Sequence, residues 1–162
     1  MLELSPPAQR MNAGQIWRFL ASVRVGRIAT HDHEQGVSSL TPLFFASVEG
    51  RIYFATQPGY KLTVLRRYPA GVGLQCDQNL GGTWISVYAW GRYRDVGPGA
   101  EYAQASLLLA RKYGRNFLRQ IADQAAKALR GGPLGVWRAA WGATTGCIDI
   151  ERIGGRIWHA AE

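Results

Sequence analysis

Three residues in the stretch from 51 to 69 have side chains suited to holding a phosphate group. Thr56 ends a short run of β-branched and aromatic residues that predicts a strand, and a Gln-Pro-Gly break follows it. Tyr60 and Lys61 come next, in the first turn of a predicted helix. The N–H groups and positive dipole end of a helix attract an anion, to which Lys61 adds a full charge and Thr56 a hydroxyl donor. The spacing therefore predicts a phosphate-binding site.

A strand over residues 52–56 and the helix after it are the elements that must position these side chains. Leu62, Leu65 and Tyr68 recur at helical spacing, and Pro69 stops the run. The same pattern is also typical of an ordinary strand–turn–helix unit whose lysine is solvated. The order of the neighbouring elements is therefore needed to decide between the two interpretations.

The composition indicates a globular protein. With 162 residues, 47% of them hydrophobic, the chain is predicted to fold as one domain over 1–162 with a substantial core. No apolar run approaches the ~20 residues that a membrane span requires. The first residues lack a basic start followed by an apolar block, so we expect a cytoplasmic protein without a secretory signal. Cys76 and Cys147 are predicted to be free thiols of a reducing compartment.

The charge is strongly positive, with a formal net value of +8 and a sequence pI of about 10.0. Such a balance is compatible with a nucleic-acid partner, a phosphorylated ligand or simple solubility. Most of the excess is arginine scattered along the chain, whereas nucleic-acid binders usually gather their charge on one face. A small ligand that carries phosphate fits this dispersion at least as well.

The order of the predicted elements indicates a mainly β protein. Asn12 caps a predicted helix over about 12–23, after a loosely held arm of residues 1–11. Pro42 implies an edge, a bulge or a bend in the second strand. Strands are predicted over 25–30, 37–48, 52–56, 72–76, 83–96, 136–141, 147–150 and 156–159, with a hairpin loop at 31–36 and turns at Gly142 and Gly154-Gly155. A helical excursion over about 101–130, parted near Gly114, separates the last three, so we predict a small β-barrel with peripheral helices.

Other residue groups give less specific patterns. The strand over 83–96 carries large side chains on both faces, which predicts a central strand buried on both sides. His31 and His33 resemble metal ligands, but a site needs further ligands, so a solvated turn is expected and no metal is predicted. Ser86 and the cysteines have no histidine at a recognisable spacing, and the catalytic residues stay unknown. An arginine stripe is either solvated or docks an acidic ligand or partner; it comprises Arg111, Arg115 and Arg119.

The chain resembles the pyridoxamine-phosphate-oxidase-like family of flavin-binding split barrels. The resemblance covers roughly residues 12–96. It is carried by VGRIAT at 25–30, Pro42 before an aromatic strand, YFAT at 53–56 with GYK at 59–61, LRRYP at 65–69, residues 72–77, and WISV at 84–87 leading to Gly91-Arg92.

This resemblance implies a six-stranded antiparallel split barrel that forms a homodimer, with FMN in clefts at the subunit interface. Thr56, Tyr60 and Lys61 would hold the phosphate by position, and Ser86 would lie near the flavin. The remaining implied contacts are Pro42, Leu43 and Phe44 along the ring system and Trp158, with Arg156 or His159, from the C-terminal region.

The chain departs from the family's pattern at two places. Position 60 is tyrosine where many members have a small or basic residue. Residues 37–41 lack the basic residue that true pyridoxamine-phosphate oxidases use there, which argues against vitamin B6 as the substrate.

Three hypotheses about function follow. The first is an FMN-dependent oxidoreductase that acts on a small molecule, with the flavin supplying the redox chemistry. The second keeps the barrel but binds a deazaflavin or a haem, for which His159 is a candidate iron ligand. The third, motivated by the positive charge, is a non-catalytic nucleic-acid or regulatory binding module.

Overall fold

The computed structural model of the protein describes residues 8–114 and 144–159, which form seven strands and three helices. The strands are β1 (Gln9–Arg10), β2 (Val25–Asp32), β3 (Val37–Val48), β4 (Arg51–Thr56), β5 (Val72–Leu80), β6 (Thr83–Asp95) and β7 (Thr144–His159). The helices are α1 (Ala13–Ser22), α2 (Tyr60–Arg67) and α3 (Ala100–Tyr113). No helix in this part of the chain is long and apolar enough to cross a membrane.

All seven strands pair antiparallel in one sheet that closes on itself. The order of neighbours is β1-β7-β4-β3-β2-β5-β6, and β6 also pairs with β7 along its whole length. The six strands from β2 to β7 therefore form a closed barrel, and the short β1 adds to the edge of β7. The predicted mainly β barrel with peripheral helices is confirmed.

The hydrophobic core fills the inside of the barrel. Every second residue of a strand points inward, and Ile28, Phe45 and Phe54 are among the side chains with no exposed surface. Two helices contribute to the same core, α1 with Leu20 and α2 with Leu65. Packing of α2 against this core fixes where its N-terminus lies relative to the end of β4.

The strand that is buried on both faces is β4. Ile52 and Phe54 face the interior, and Tyr53 on the opposite face is covered by α3 through Ala105. The Tyr53 hydroxyl donates to Glu101 at 2.9 Å, and Arg94 links Glu101 to Asp149 of β7. A polar network thus fastens the start of α3 to the barrel.

The prediction that residues 83–96 are buried on both sides is wrong. β6 is central, since it pairs with both β5 and β7, but its residues alternate between buried and exposed. Trp84 is 46% exposed and Trp90 44% exposed. The physical reason is that a barrel has one interior, and α3 covers β4 rather than β6.

The C-terminal strands predicted over 147–150 and 156–159 are one continuous strand, β7, so the predicted turn at Gly154-Gly155 is wrong. These glycines stay extended within the ladder, opposite Tyr88 and Val87. A Cβ atom on Gly154 would lie 2.7 Å from the Tyr88 hydroxyl oxygen, so the missing side chain makes room for the tyrosine rather than for a turn. The predicted strand over 136–141 and the turn at Gly142 lie outside the described residues.

The N-terminal predictions are partly corrected. Asn12 and Gln15 form a reciprocal capping box that starts α1, as the prediction of a capped helix requires. The arm before it is not wholly loose, because Gln9 and Arg10 pair with β7. Residues 1–7 of that arm, and the part of the helical excursion after Gly114, lie outside the described residues.

Candidate functional site

The N-terminus of α2 offers backbone N–H groups that have no partner within the helix. Gly59 caps the helix without any side-chain hydrogen bond, and the first turn contains no acidic residue. The first helical hydrogen bond runs from the Thr63 N–H to the Gly59 carbonyl at 3.1 Å. Helix geometry leaves the N–H groups of residues 60–62 without an acceptor inside the helix. This end of α2 therefore carries partial positive charge and donors for an anion.

Lys61 adds a half-buried cation at the same place. Burial lowers the pKa of its ammonium group, because the charged form loses hydration. Across residues 8–114 and 144–159, no carboxylate lies close enough to form an ion pair with Lys61. A partly desolvated ammonium without an anionic partner is suited to receive an anionic ligand.

Thr56 ends β4 immediately before the turn into α2. Its side chain is buried, and its hydroxyl contacts the Gln57 carbonyl only at a long 3.4 Å. Thr56 and Lys61 thus bracket the turn between β4 and α2, as the sequence spacing predicts. The donor set, one ammonium, one hydroxyl and several N–H groups, has the chemistry of a phosphate site.

Tyr60, which was predicted as a phosphate ligand, uses its hydroxyl in hydrogen bonds within the protein. Its hydroxyl donates to Oδ2 of Asp32 at 2.8 Å and also lies 3.3 Å from Oε1 of Gln35. Oδ1 of Asp32 accepts the backbone N–H groups of Glu34 and Gln35. The Tyr60 hydrogen bond is the largest of the contacts that lower the pKa of Asp32. Tyr60 therefore connects the N-terminus of α2 to a charged carboxylate on β2.

Sequence reasoning missed Asp32, which stands 28 positions before Tyr60. The only local sign of its role was its position before the hairpin turn, where an aspartate side chain accepts the backbone N–H groups two and three residues ahead. His33, in the same hairpin, stacks edge-on against Tyr68, with ring centroids 4.9 Å apart. No group of three or more metal-ligating side chains occurs within the described residues.

The other predicted site residues lie on the sheet. Pro42 is exposed and pairs with Arg27 of β2. Among the described strands, β4 pairs with β3 only over residues 45–48, so β3 has an open edge at Pro42, as predicted. Phe44 is exposed next to it, whereas the Leu43 side chain is buried in the barrel core. The Leu43 side chain is therefore not available to a ligand.

Ser86 and Trp158 lie on the outward face of β6 and β7. Ser86 is half-buried between Asp77 of β5 and Arg156 of β7 in the sheet register. Trp158 pairs with Trp84 across the same ladder. The predicted residues thus fall into two groups: one at the turn between β4 and α2, and one on the outward face of the barrel.

This outward face carries an exposed apolar surface, which we name the open face. Its members lie on β2, β3 and β6, on the same side of the sheet, and each is between 43% and 58% exposed. They are Val25, Leu40, Phe44, Trp84 and Trp90. Large apolar side chains that stay exposed on the outer side of neighbouring strands are typical of an interaction surface.

The family model described as pyridoxamine 5'-phosphate oxidase matches residues 12–140. The chain belongs to this family. The match includes the turn between β4 and α2 and all five residues of the open face, and it extends the resemblance seen in the sequence beyond residue 96. No curated protein matches the chain by sequence.

Solved structures of family-like proteins superpose on most of the chain. An FAD-binding protein from Mesorhizobium loti is 25% identical, with a TM-score of 0.66 over 93% of this chain and 96% of its own. An FAD-binding protein from Mycobacterium smegmatis is 20% identical, with a TM-score of 0.64 over 95% and 99%. A haem-binding protein from the same organism is 14% identical, with a TM-score of 0.63 over 90% of this chain and 54% of its own. The last two comparisons concern the fold alone.

Proposed function

We propose that this family member is a flavoprotein oxidoreductase that binds the FMN unit, either as FMN or as the FMN half of FAD. The observation that carries the proposal is Lys61, a half-buried ammonium without a carboxylate partner among the described residues, at the uncapped N-terminus of α2. A phosphate at this point would pair with Lys61 and accept the N–H groups of the first helical turn.

The residues of the chain would bind and orient the cofactor. Lys61 and Thr56 would hold the phosphate, and Ser86 would offer a hydroxyl toward the edge of the flavin ring. Pro42, the Leu43 backbone and the Phe44 ring would shield one side of the ring system from water, with Trp158 near its other end. When bound, the flavin supplies hydride or electron transfer, so no acid–base constellation of side chains is required.

The comparisons support this proposal through the printed descriptions of similar proteins. Two of them are FAD-binding, and the Mesorhizobium loti protein spans nearly the whole chain at 25% identity. The haem-binding neighbour supports a second candidate, in which the same barrel holds a haem. His159 is exposed at the end of β7, with Nδ1 3.2 Å from the Thr83 hydroxyl, and its other ring nitrogen would be the iron ligand.

The open face supports a homodimer with the cofactor at the interface. Phe44 belongs both to the exposed apolar surface and to the proposed flavin contacts, and Trp84 of the same surface pairs with Trp158. A second copy placed on this face would bury these side chains and close the flavin cleft against water.

The spectrum of the purified protein tests the proposal. We expect flavin absorption bands in the protein as isolated, or after addition of FMN or FAD and removal of the excess. A Soret band without flavin bands would favour the haem candidate, and a deazaflavin spectrum would favour that alternative. A protein that stays colourless after addition of all these cofactors would overturn the proposed function.

A further inference from the structure

The hairpin formed by β2 and β3 contacts α2 at both ends of the helix. At the C-terminal end, Arg67 pairs with Glu34 of this hairpin. At the N-terminal end, the Tyr60 hydroxyl donates to Oδ2 of Asp32 at 2.8 Å. Tyr60 is the first residue of α2, and its N–H group is one of the donors proposed for the phosphate. The second contact therefore reaches the proposed phosphate site directly.

The two ends of α2 differ in the contacts that hold them. Near the C-terminal end, a further ion pair joins Arg66 to Asp95 of β6. At the N-terminal end, the Leu62 side chain is buried in the core, but Gly59 provides no side-chain cap. Among the described residues, the hydrogen bonds of the Tyr60 hydroxyl are the polar side-chain contacts that join the first turn to the barrel.

Asp32 is oriented independently of α2. Its Oδ1 atom accepts the backbone N–H groups of Glu34 and Gln35 at 3.0 and 3.1 Å, so the hairpin turn itself fixes the carboxylate. Oδ2 is left for the Tyr60 hydroxyl, and only 5% of Asp32 is exposed. The hydrogen bonds from Tyr60 and from the backbone lower the pKa of Asp32, so the acceptor stays charged at neutral pH. A charged acceptor strengthens the hydrogen bond that Tyr60 donates.

Order in the first turn of α2 matters for ligand binding because the ends of helices fray. The N–H groups of residues 60–62 have no acceptor within the helix, so contacts outside the helix must keep this turn in place. A donor that is already oriented loses less conformational entropy when it binds a ligand. A fixed first turn therefore binds a phosphate more tightly than a frayed one.

We propose that Asp32 is a positioning residue of the phosphate site. Through the Tyr60 hydroxyl it holds the first turn of α2 on the barrel, so that Lys61 and the N–H groups of residues 60–62 are in place before the cofactor binds. Tyr60 is the link between the two, and its hydroxyl is not a phosphate donor. This inference rests on the proposed function, because the bound group is the phosphate of the flavin cofactor.

Binding of FMN and riboflavin to the cofactor-free protein tests the inference, because the two flavins differ in the phosphate group alone. Tyr60→Phe keeps the aromatic ring and removes the hydroxyl. We expect the dissociation constant of FMN to rise about three- to tenfold, which is the range for one lost hydrogen bond. The dissociation constant of riboflavin should stay unchanged, whereas a general loosening of the fold would weaken the binding of both flavins.

Two substitutions of Asp32 separate positioning from a direct effect of its charge. Asp32→Asn removes the charge but keeps a side chain that can hydrogen-bond the Tyr60 hydroxyl, so the FMN affinity should stay close to that of the natural protein. Asp32→Ala removes the acceptor and should weaken FMN binding as much as Tyr60→Phe does. Combining Asp32→Ala with Tyr60→Phe should cause no further loss, since both substitutions remove the same contact.

Glu34→Ala is the matched control for the hairpin. It removes the contact that the same hairpin makes with the other end of α2, where Arg66 also holds the helix. This variant should not weaken FMN binding.

Amide hydrogen exchange in the cofactor-free protein tests the link without any ligand. In the first turn of α2, the Thr63 N–H donates to the Gly59 carbonyl at 3.1 Å, and at the other end the Tyr68 N–H donates to the Val64 carbonyl at 2.8 Å. In Tyr60→Phe we expect the Thr63 amide to exchange faster and the Tyr68 amide to exchange at its natural rate.

The outcomes distinguish this inference from the proposed function. The positioning role would be overturned by an FMN affinity that Tyr60→Phe leaves unchanged, by losses that multiply in the double variant, or by Asp32→Asn weakening FMN binding as much as Asp32→Ala. If Asp32→Ala does not fold, Tyr60→Phe and Asp32→Asn decide. A natural protein that binds neither FMN nor FAD would overturn the proposed function together with this inference.

Discussion

The Nζ atom of Lys112 lies 2.7 Å from the carbonyl oxygen of Leu20, so the last turn of α3 is tied to the last turn of α1. The same Nζ stands 3.7 Å from the centre of the Phe45 ring, over the barrel core. A cation at this point satisfies a carbonyl at the C-terminal end of α1 and interacts with the aromatic face. Its burial lowers the pKa of the Lys112 ammonium to about 8.

This pKa makes the contribution of Lys112 to stability depend on pH. Between about pH 8 and the ordinary value of 10.5, the unfolded chain holds a proton on this lysine that the folded chain has lost. The free energy of unfolding that Lys112 contributes therefore rises with pH in this window. We expect the natural protein to gain stability relative to Lys112→Met as pH increases through it.

Urea denaturation of both proteins at several pH values measures the difference. Both proteins carry Cys76→Ala, because the Cys76 thiol and the Lys112 ammonium influence each other's pKa. The ionisations of the other groups then largely cancel. Arg111→Met, on the exposed side of the same helix, is the control and should show a constant difference. A stability difference for Lys112→Met that is flat or falls with pH would contradict the assignment.

Glu101 should make the stability of the fold depend on pH in the acid range. Two hydrogen bonds from Arg94, at 2.6 and 2.8 Å, and one from Tyr53 hold the pKa of Glu101 at about 2, below its ordinary value of 4.5. Because the folded pKa is depressed, this stabilisation is present above pH 4.5 and is lost as pH falls toward 2.

Thermal unfolding of Glu101→Gln checks this dependence. We expect the variant to be less stable than the natural protein at pH 7 and the two midpoints to converge as pH falls through the window. Glu151→Gln, at an exposed position of β7, should leave the midpoint unchanged. Parallel acid profiles for the natural protein and Glu101→Gln would show that Arg94 does not hold the carboxylate.

Lys61→Ala should weaken flavin binding. A charge-assisted bond between its ammonium and a phosphate contributes about 1.5–3 kcal/mol, so the dissociation constant of FMN or FAD should rise at least about tenfold. Riboflavin, which lacks phosphate, should bind both proteins equally. Arg18→Ala, an equal change of charge on the exposed side of α1, serves as the control. Unchanged affinity in Lys61→Ala would remove this residue from the site.

Phe44→Glu should disrupt the proposed homodimer. Phe44 is 49% exposed on the open face, and a carboxylate there would have to lose its hydration when a second copy docks. We expect a dimer for the natural protein and a monomer for Phe44→Glu in sedimentation velocity. Tyr102→Glu, at a position of α3 with a similar exposure of 45%, should stay dimeric. A natural protein that is monomeric would contradict the dimer.

Much of the architecture was predictable because its signals are local. The capping pair Asn12 and Gln15, the break after Thr56 and the apolar spacing of α2 each involve residues a few positions apart. The predictions were wrong where a contact between residues distant in sequence overrides a local pattern. Gly154 and Gly155 have the composition of a turn, but the ring of Tyr88 needs the space above Gly154, and this requirement appears only when β6 and β7 pair.

By itself the sequence determined the barrel class, the family resemblance, and the position of Thr56 and Lys61 around one turn, because alternation, helix starts and turn residues act over short distances. Only the tertiary structure decided that α3 covers β4 and leaves β6 open, and that Tyr60 donates to Asp32 rather than toward a ligand. The physical reason is that burial and hydrogen bonding depend on which distant strands and helices meet. The pairing of β2 with β3 and β5, together with the packing of α2, brings Tyr60 next to Asp32. Spacing along the chain does not predict this contact.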